Sequence, residues 1–371
     1  MRIVITTTLN NNLFRAKLEP LLRARPGLEV MVVTDREGPT LAGVTWVWPR
    51  GWLRYAGRLG GRLLLLMCAV FHPRTRLVMA YGVMPHGLFA VGLARLRRVP
   101  VFLHFIAGPA EIRFAHDVRV SDNQVISRSR HPRFWEVIVQ RCGLMADRVF
   151  VPGSVTRDFL IAEGYRPHTV SVLHSTVDRT RYFPGESRDI DVIVSAQLRE
   201  RKRPLFTLRV LALLRERIPD LRFCWMGDGV LHDEFRATLQ ALQLSAVTEW
   251  ISTDTVAPYY RRAKVFLLCS VNEGLSLASL EAMASGAVPV VTDCGDMRDI
   301  VDPATTGCLL DVQSTEREFA AAVTQLLIDP VRLANFSRHG AKLVAEHHSF
   351  EVAQRRWGEV LDTLKPQECH R

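Results

Sequence analysis

The chain has 371 residues, a hydrophobic fraction of 48% and a formal net charge of +10. This length allows two domains of ordinary size, and the hydrophobic fraction argues against a disordered chain. Seven cysteines without a C-x-x-C pair argue against a disulfide framework or a zinc site, so we expect reduced thiols in a cytosolic protein. The N-terminal segment lacks the pattern of a signal peptide and is predicted to be a first strand.

The positive charge is confined to the first half of the chain. Residues 1–170 contain 24 Lys and Arg against 11 Asp and Glu, a net charge of +13, whereas residues 171–371 contain 24 against 27, a net charge of −3. This asymmetry favours an anionic partner for the first half, either a membrane surface, a nucleic acid or a phosphate-bearing substrate. A basic surface without a partner is the alternative. Nucleic acid is disfavoured because no aromatic-plus-basic recognition motif is present.

In chain order, the first half alternates short apolar strands with longer amphipathic helices. The predicted strands are Arg2–Thr7, Leu28–Thr34, Val44–Trp48, Arg76–Tyr81, Val99–Phe105 and Arg148–Pro152, and the predicted helices are Leu13–Arg25, Arg62–Phe71, His86–Arg97 and Arg133–Met145. This series predicts a mostly parallel sheet with helices on both faces. The apolar run Leu63–Phe71 is far shorter than the roughly 20 residues of a membrane span, so we expect a buried helix there.

A polar, turn-rich segment at Arg179–Asp189 is predicted to link two domains, and the pattern then restarts. The predicted strands are Asp191–Ala196, Leu221–Gly227, Val247–Ser252, Lys264–Ser270, Val288–Thr292 and Gly307–Asp311, and the helices are Pro204–Arg217, Leu231–Leu242, Val256–Arg262, Glu316–Ile328, Pro330–His347 and Phe350–Leu364. We therefore predict an α/β protein with two doubly wound, Rossmann-like domains at residues 1–180 and 189–349, and a C-terminal helix and tail at residues 350–371.

Two glutamates stand out in the segment VNEGLSLASLEAMASG, Val271–Gly286. It follows a predicted strand, and ligands of parallel sheets bind outside the carboxyl ends of strands, near helix N-termini. Glu273 in the loop and Glu281 in the helix can then reach one extended ligand. Carboxylates accept hydrogen bonds from vicinal hydroxyls, and the amides of Leu275–Leu277 face a phosphate, which suits a sugar nucleotide. An anion beside two carboxylates requires a basic group from another loop.

The longer segment LLCSVNEGLSLASLEAMASGAVPVVTDCGDMRDIV resembles the signature of the family 4 retaining glycosyltransferases of GT-B fold, with two glutamates spaced by seven residues. VIVSAQLRERKRPL resembles the lysine loop of that family, FCWMGDG its Gly-Asp-Gly turn, and SVLHSTVDRTRYFP its interdomain segment. GVMPHGLFAVGLARLRRVPVFLHFIAGPAE resembles its acceptor-side region more loosely. The resemblance implies a GT-B fold, with two domains facing across a cleft and a C-terminal helix that crosses back to the first.

The resemblance also implies a donor-binding role for each matching residue. Glu281 would bind the ribose hydroxyls, and the amide of Leu277 would bind the phosphate. The transferred sugar would be bound by Glu273 and by the backbone of Gly274, Leu275 and Ser276. The Gly-Asp-Gly turn adds Gly227 and Asp228 to the donor site.

The predicted catalytic residues are Lys202, Glu273 and His104. Lys202 falls on the diphosphate-binding lysine of the family and would stabilise the departing diphosphate. His104 falls near the histidine of the first domain that contacts the donor sugar, and a core histidine with satisfied hydrogen bonds is the alternative. The resemblance implies that no metal and no other cofactor is required, and that configuration is retained through a front-face substitution.

This chain departs from the family pattern at three places, and one of them is Asp299, the nearest equivalent of a further glutamate that often follows the second Glu in the family. Ala196 and Gln197 stand where the family has Gly-Arg, so the usual diphosphate arginine is missing. Arg199, Arg201 or Arg203 is expected to substitute, with Arg199 preferred on reach. The predicted donor site therefore also includes Gln197, Arg199 and Arg203.

A further departure is the first-strand loop, TTTLNNN, which replaces paired glycines. Its Asn11 and Asn12, together with His86, are the predicted acceptor-side residues. The segment Arg119–Arg133 is predicted to be either an acceptor loop or an ordinary basic surface. Base recognition is expected near Met226–Gly229 and Ser252–Thr255, although the sequence does not identify the base.

These features together predict a retaining, metal-independent hexosyltransferase. It would move a hexosyl unit from a nucleotide-diphosphate sugar to a hydroxyl of a glycan or lipid-linked acceptor. We expect it in the cytoplasm, attached peripherally to the anionic inner face of the cell membrane. The alternative, motivated by the missing arginine, is a catalytically silent sugar-nucleotide-binding GT-B partner subunit.

Overall fold

A computed structural model describes residues 2–113, 129–245, 248–251 and 255–364. The chain divides into two units. Unit 1 contains the chain up to Ser175 together with the segment from Phe350, and unit 2 is Thr176–Ser349. Most of the predicted acceptor loop, at 119–128, and the predicted base-recognition residues 252–254 lie outside the described ranges.

Seven parallel strands form the sheet of unit 1, in the spatial order β3-β2-β1-β4-β5-β6-β7. They are β1 Arg2–Thr7, β2 Glu29–Val33, β3 Val44–Val47, β4 Thr75–Tyr81, β5 Val101–His104, β6 Arg148–Val151 and β7 Val170–Val172. Their apolar sequences suit a sheet that is buried on both faces. The strand order reverses between β1 and β4, which places a topological switch point at the carboxyl ends of these two strands.

The described residues of unit 1 form the helices α1 Asn11–Ala24, α2 Gly57–Phe71, α3 His86–Arg97, α4 Pro132–Leu144, α5 Ser154–Ala162 and, from the C-terminal segment, α12 Phe350–Asp362. Helix α12 packs on α1. Its Trp357 and Leu361 are buried in the core on that face of the sheet. The C-terminal helix therefore returns to the first unit, as the resemblance implied.

Helix α2 differs from the prediction of a buried helix at Leu63–Phe71. Its inner stripe includes Leu66 and Val70, but Leu64, Met67 and Phe71 are exposed. The prediction was wrong for this outer stripe because an apolar run shows no difference between the two faces of a helix. Within the described ranges, no helix has the length and hydropathy needed to span a bilayer.

Unit 2 is built on a second parallel sheet, in the order β10-β9-β8-β11-β12-β13. Its strands are β8 Ile190–Ser195, β9 Phe223–Met226, β10 Thr248–Ile251, β11 Ala263–Leu268, β12 Val288–Thr292 and β13 Cys308–Leu310. Its helices are α6 Pro204–Arg217, α7 His232–Ala241, α8 Ala257–Arg262, α9 Leu277–Ala284, α10 Glu316–Ile328 and α11 Pro330–His347. The order reverses between β8 and β11, so this sheet has its switch point there.

The segment Arg179–Asp189, predicted to be an interdomain linker, lies within unit 2. Tyr182 anchors it, because its side chain is buried in the apolar core of that unit together with Val177. The predicted boundary at residues 180–189 is thus later than the division of the structure at Ser175. A polar, turn-rich composition did not reveal the one buried aromatic residue that attaches the segment to unit 2.

Candidate functional site

Two loops meet at the switch point of unit 2. One follows β8 and includes a single turn of 3-10 helix, Glu200–Lys202, whereas the other follows β11 and leads into α9. The backbone amide of Val271 donates a hydrogen bond to the carbonyl oxygen of Arg201, at 2.9 Å. Adjacent parallel strands on opposite sides of the reversal bring these loops together, which is where ligands of such sheets bind.

Glu273 lies in a cationic setting formed by the two loops. Its side chain is buried and accepts a charged hydrogen bond from Nζ of Lys202. A guanidinium nitrogen of Arg201 lies 3.9 Å from its other carboxylate oxygen. Burial alone would raise the pKa of Glu273, but the charges of Lys202 and Arg201 outweigh burial and hold that pKa below its ordinary value. Glu273 is therefore an anion at neutral pH, as a hydroxyl-binding carboxylate must be.

The loop that follows β12 contacts the backbone of Glu273 and Gly274. The amide of Asp296 donates a hydrogen bond to the carbonyl oxygen of Gly274, at 2.9 Å. Gly295 has a φ of +57°, and a Cβ added there would overlap the carbonyl oxygen of Glu273. Only glycine combines this backbone conformation with so close an approach. The backbone at Glu273 and Gly274 is thus fixed by a neighbouring loop.

Helix α9 begins directly after this loop. Ser276 is its N-cap residue, and the side-chain oxygen of Ser276 accepts a hydrogen bond from the amide of Ser279 at 3.2 Å. The amides of Leu277 and Ala278 have no partner inside the helix because they belong to its first turn. Together with the partial positive charge of a helix N-terminus, they form a setting that favours an anion.

Glu281 lies one turn further along α9 and is buried. Burial raises its pKa to about 7, while a hydrogen bond from Tyr182 and the charge of Arg181 act in the opposite direction. Both neighbours come from the segment that was predicted to be a linker. The structure therefore gives the two predicted glutamates different electrostatic settings, with Glu273 beside cations and Glu281 among apolar groups and a tyrosine.

The remaining predicted donor residues lie around the β8 loop. A Cβ added at Gly227 would overlap the carbonyl oxygen of Ala196, so the Gly-Asp-Gly turn packs directly on the loop. Asp228 accepts hydrogen bonds from the amide of Gly229 at 2.7 Å and from His232 at 2.9 Å. Gln197 is exposed and Arg199 half-buried. Their predicted roles at the donor stay predictions.

Arg203 has a structural role in unit 2. Its guanidinium lies over the ring of Phe206, 3.6 Å from the centroid, and donates to the carbonyl oxygen of Val312 at 3.0 Å. Of the three arginines expected to replace the missing one, Arg201 is within ion-pair distance of Glu273. Arg201 thus joins the site that was predicted with Arg199.

His104 lies at the end of β5 and is only 2% exposed. Its ring is stacked on Phe150 at 4.8 Å between centroids and lies 4.2 Å from Tyr81 and 5.8 Å from Trp357. Burial and the nearby charge of Lys17 hold its pKa well below the ordinary value, so the ring is neutral. The structure places His104 in an aromatic cluster of unit 1. Its predicted contact with the donor sugar stays a prediction.

The predicted acceptor-side residues also lie in unit 1. His86 is buried and donates from Nε2 to the carbonyl oxygen of Tyr81 at 2.9 Å, and burial together with the charge of Arg62 lowers its pKa to about 3. A neutral, buried His86 joins the start of α3 to the end of β4, and its predicted acceptor-side role stays a prediction. Asn11 and Asn12 occupy the first turn of α1, beside the switch point of unit 1.

Sequence reasoning missed three polar residues that lie near the predicted site residues of the two units. Tyr182 contacts Glu281, as described above. Asn272 has a buried Nδ2 atom for which the described residues offer no hydrogen-bond partner, directly beside Glu273. In unit 1, the carboxylate of Glu111 accepts hydrogen bonds from the amides of Val83 at 3.1 Å and Ala107 at 2.7 Å. The adjacency of Asn272 to Glu273 was a usable signal, whereas nothing in the sequence pairs Tyr182 with Glu281.

Residues 189–329 match the model of the family described as glycosyl transferases group 1. The matched range includes both loops of the site described above. Unit 2 carries a glycosyltransferase domain. The resemblance to the family 4 glycosyltransferases of GT-B fold is thereby confirmed.

Curated relatives extend the similarity beyond this domain. A GDP-mannose-dependent alpha-mannosyltransferase of Mycolicibacterium smegmatis is 28% identical over 361 residues, which cover 93% of this chain and 83% of that protein. A D-inositol 3-phosphate glycosyltransferase of Kribbella flavida is 28% identical over 190 residues, which cover 45% of each chain. The first of these similarities includes most of unit 1 as well as unit 2.

Solved structures show the same fold. Sucrose-phosphate synthase of Thermosynechococcus elongatus superposes with a TM-score of 0.77 at 14% identity and covers 98% of this chain and 99% of its own. HepE of Anabaena, solved in complex with UDP, superposes with a TM-score of 0.74 at 14% identity and covers 98% of this chain and 100% of its own. The predicted GT-B fold with two Rossmann-like domains is confirmed.

Proposed function

We propose that this glycosyltransferase is a retaining hexosyltransferase that moves a hexosyl unit from a nucleotide-diphosphate sugar to a hydroxyl of a glycan or lipid-linked acceptor. The observation that carries the proposal is the charge arrangement at the switch point of unit 2. There the Glu273 carboxylate, the Lys202 ammonium and the N-terminus of α9 lie within one pair of adjoining loops.

Each part of this arrangement matches one part of a sugar nucleotide. Glu273 accepts hydrogen bonds from sugar hydroxyls, and Glu281 accepts them from the ribose. The amides at the start of α9 bind phosphate oxygens. Lys202 and Arg201 oppose the negative charge that grows on the diphosphate as the sugar departs, which lowers the barrier because it is strongest in the transition state.

We also propose that transfer requires no divalent metal. Two cationic side chains and a helix N-terminus already supply positive charge beside Glu273. Across the described residues, no group of three or more His, Cys, Asp or Glu side chains is arranged to hold a metal ion. Activity that survives EDTA supports this proposal, and activity that returns only when Mg²⁺ or Mn²⁺ is added contradicts it.

The first experiment is a thermal-shift screen with UDP-, GDP-, ADP- and TDP-sugars. A ligand that binds the folded state alone raises the melting temperature by mass action. GDP-mannose is the first donor to test, because the mannosyltransferase of Mycolicibacterium smegmatis, whose similarity covers 93% of this chain, is named for it. The stabilising donor is then incubated with acceptors, and the anomeric configuration of the product is read by NMR. A product of inverted configuration contradicts the retaining mechanism.

The transfer assay that follows the screen separates the enzyme from a silent binding subunit. Both bind the donor, but only an enzyme transfers or hydrolyses it, and only an enzyme loses that activity in Glu273→Ala. Arg201 favours the enzyme, because it places a second positive charge near Glu273 and can replace the arginine that this chain lacks at position 197. A donor-dependent thermal shift without turnover, across all acceptors tested, would favour the silent subunit.

A further inference from the structure

One face of unit 1 combines exposed apolar side chains with positive charge. Helices α2, α3 and α4 lie side by side, since α3 contacts both of the others. Each carries an apolar stripe on its outer side. The apolar outer face consists of Leu64, Met67 and Phe71 of α2, Phe89 and Leu96 of α3, and Phe134, Val137 and Leu144 of α4.

The segment that leads into α2 extends this face. Residues Gly51–Ala56 form a turn of 3-10 helix that packs on α2. Trp52 is 71% exposed and Tyr55 is 94% exposed. Single exposed apolar residues are common, but these two continue the apolar outer face, and contiguous apolar patches on a folded protein mark interaction sites.

The orientation of α2 shows that its outer stripe is not a failure of packing. Arg62 points inward, where it is 4% exposed and donates to the hydroxyl of Thr6 at 3.1 Å. Leu64 and Met67 point outward on the same helix. A surface helix of a water-soluble protein normally places its charge outside and its leucines inside. In α2, Leu66 and Val70 face the core as usual, but Arg62 is also inside while a second apolar stripe is outside. This outer stripe therefore suits an apolar partner better than water.

The charge around this face is predominantly positive. Residues 38–110 contain no Asp or Glu, and they contain nine arginines: Arg50, Arg54, Arg58, Arg62, Arg74, Arg76, Arg95, Arg97 and Arg98. The acidic residue of α4, Glu136, is buried. Among the described residues of α2, α3 and α4, no acidic side chain is exposed. Arg62 is buried and Arg95 is paired with the exposed Asp147 at 3.0 Å, so the other arginines of this stretch supply the positive excess that attracts an anionic partner.

We propose that the apolar outer face is a docking surface for an anionic lipid bilayer, with Trp52 and Tyr55 at the headgroup level and the stripe of α2 against the acyl boundary. Aromatic residues prefer this interface, and apolar helices with basic surroundings lie in its plane. This docking surface rests on the proposed function in one respect: a lipid-linked acceptor would be available to the protein at the bilayer. Docking itself involves no sugar transfer.

Vesicle sedimentation tests the surface without any donor. The protein is mixed with phosphatidylcholine vesicles, or with vesicles of equal parts phosphatidylcholine and phosphatidylglycerol, at low and at molar salt. We expect at least about tenfold stronger partition to the anionic vesicles at low salt, since each arginine near an anionic surface contributes about fivefold. The blue shift of tryptophan fluorescence on binding should be lost in Trp52→Phe, if Trp52 enters the interface.

The decisive variant is the triple substitution Trp52→Ser, Tyr55→Ser and Met67→Ser. All three side chains are exposed, so the fold should be unaffected, which a thermal melt checks. We expect at least about a tenfold loss of vesicle partition, because burial of these side chains drives insertion. The matched control replaces exposed apolar residues of unit 2, Val230→Ser, Ile328→Ser and Val331→Ser, which should change partition less than about twofold.

Three outcomes would overturn the proposal. One is equal partition of the triple variant and its control. Another is a dimer in lipid-free solution that the triple variant converts to a monomer, which would make a second copy the occupant of the face. The third is binding to duplex DNA that competes with vesicles and is lost in the same variant. A failure of donor binding or turnover would leave vesicle partition unchanged, so the two proposals fail separately.

Discussion

The two units share one topology but use their switch points differently. In unit 2, the loops at the reversal of strand order hold the Lys202–Glu273 ion pair, Arg201 and the start of α9. In unit 1, His86 is bonded to a backbone carbonyl at the end of β4, and the next strand, β5, ends in His104, which is stacked among aromatic rings. Both histidines are neutral because burial lowers their pKa values.

This difference separates a site that is prepared for a charged ligand from an edge that is filled by its own side chains. In unit 2, the buried Glu273 and the half-buried Lys202 are both charged, whereas in unit 1 the buried ring of His104 is neutral. The same strand order therefore does not imply the same function, and the side chains at the strand ends decide it. The following predictions test the contrast, from the largest expected effect to the smallest.

Lys202→Ala is expected to have the largest effect. Loss of the ammonium that faces the diphosphate should lower kcat about 10²- to 10³-fold, with less change in the acceptor KM, because the charge matters most as the leaving group departs. Steady-state kinetics measure this. The control is Lys264→Ala, which removes a lysine paired with Asp191 at 2.7 Å. An unchanged kcat in Lys202→Ala would remove the proposed role of this residue.

Gly295→Ala should destabilise unit 2 and weaken donor binding. The added methyl group would overlap the Glu273 carbonyl at a φ of +57°. We expect a loss of about 2–3 kcal/mol in the free energy of unfolding, measured by urea denaturation. Gly27→Ala in unit 1 is the matched control, since its φ is +85° but no atom lies within 4 Å of the new Cβ. It should cost about 1 kcal/mol. Equal losses in both variants would show that crowding at Glu273 is unimportant.

The raised pKa of Glu281 should make donor binding dependent on pH. Only the carboxylate accepts hydrogen bonds from two ribose hydroxyls, so the donor KM should rise as the pH falls through about 7, by up to about tenfold per pH unit. Glu281→Gln should abolish this dependence.

Folding stability should follow the opposite trend at this residue. The folded state holds the Glu281 proton more tightly than the unfolded state, whose pKa is near 4.5. The contribution of Glu281 to stability is therefore present below pH 4.5 and is lost as the pH rises to about 7. As the pH falls, the donor KM and the urea midpoint should therefore both rise, and values that move in opposite directions would contradict this account.

The smallest effect is expected at the filled edge of unit 1. Glu111→Gln replaces a carboxylate that accepts from several backbone amides with a group that also carries donors. We expect a loss of about 1 kcal/mol in the free energy of unfolding and no change in the donor-dependent thermal shift. Glu163→Gln, at an exposed ion pair with Arg113, should cost less. A loss of donor binding in Glu111→Gln would show that this edge also contributes to the site.

Most of the fold was predictable because the strands of parallel sheets are apolar runs that differ clearly from the amphipathic helices. His86–Arg97, Pro204–Arg217 and Pro330–His347 were predicted with their observed bounds. Two short elements of unit 1 were missed, β7 with three residues and α5 with nine. Helix α5 contains β-branched residues that lower helix propensity. Strand β7 has only three residues, which is too short for a hydrophobic periodicity to be recognised.

The positions of site residues could be predicted where they belong to one sequence motif. They could not be predicted where an irregular loop conformation determines which way a side chain points. The spacing of Glu273 and Glu281 fixed their places on a loop and a helix. The run Arg199–Arg203 is different, because it contains a turn of 3-10 helix and ends in Arg203, whose φ of +49° is left-handed. This irregular backbone sends the side chains of the run in different directions. No periodicity therefore shows that Arg201 reaches Glu273 while Arg203 turns to Phe206.

The return of α12 to unit 1 has a consequence for biosynthesis. Trp357 and Leu361 complete a core whose other members lie before Ser175. At about 5–20 residues per second, a ribosome adds the last turn of α12 on the order of ten to forty seconds after Ser175 has been made. During that interval, unit 2 can be synthesised in full while unit 1 still has an uncovered apolar groove beside α1. The first part of the chain to emerge is thus the last to be finished, and a nascent chain stalled before Trp357 would be a natural substrate for chaperones.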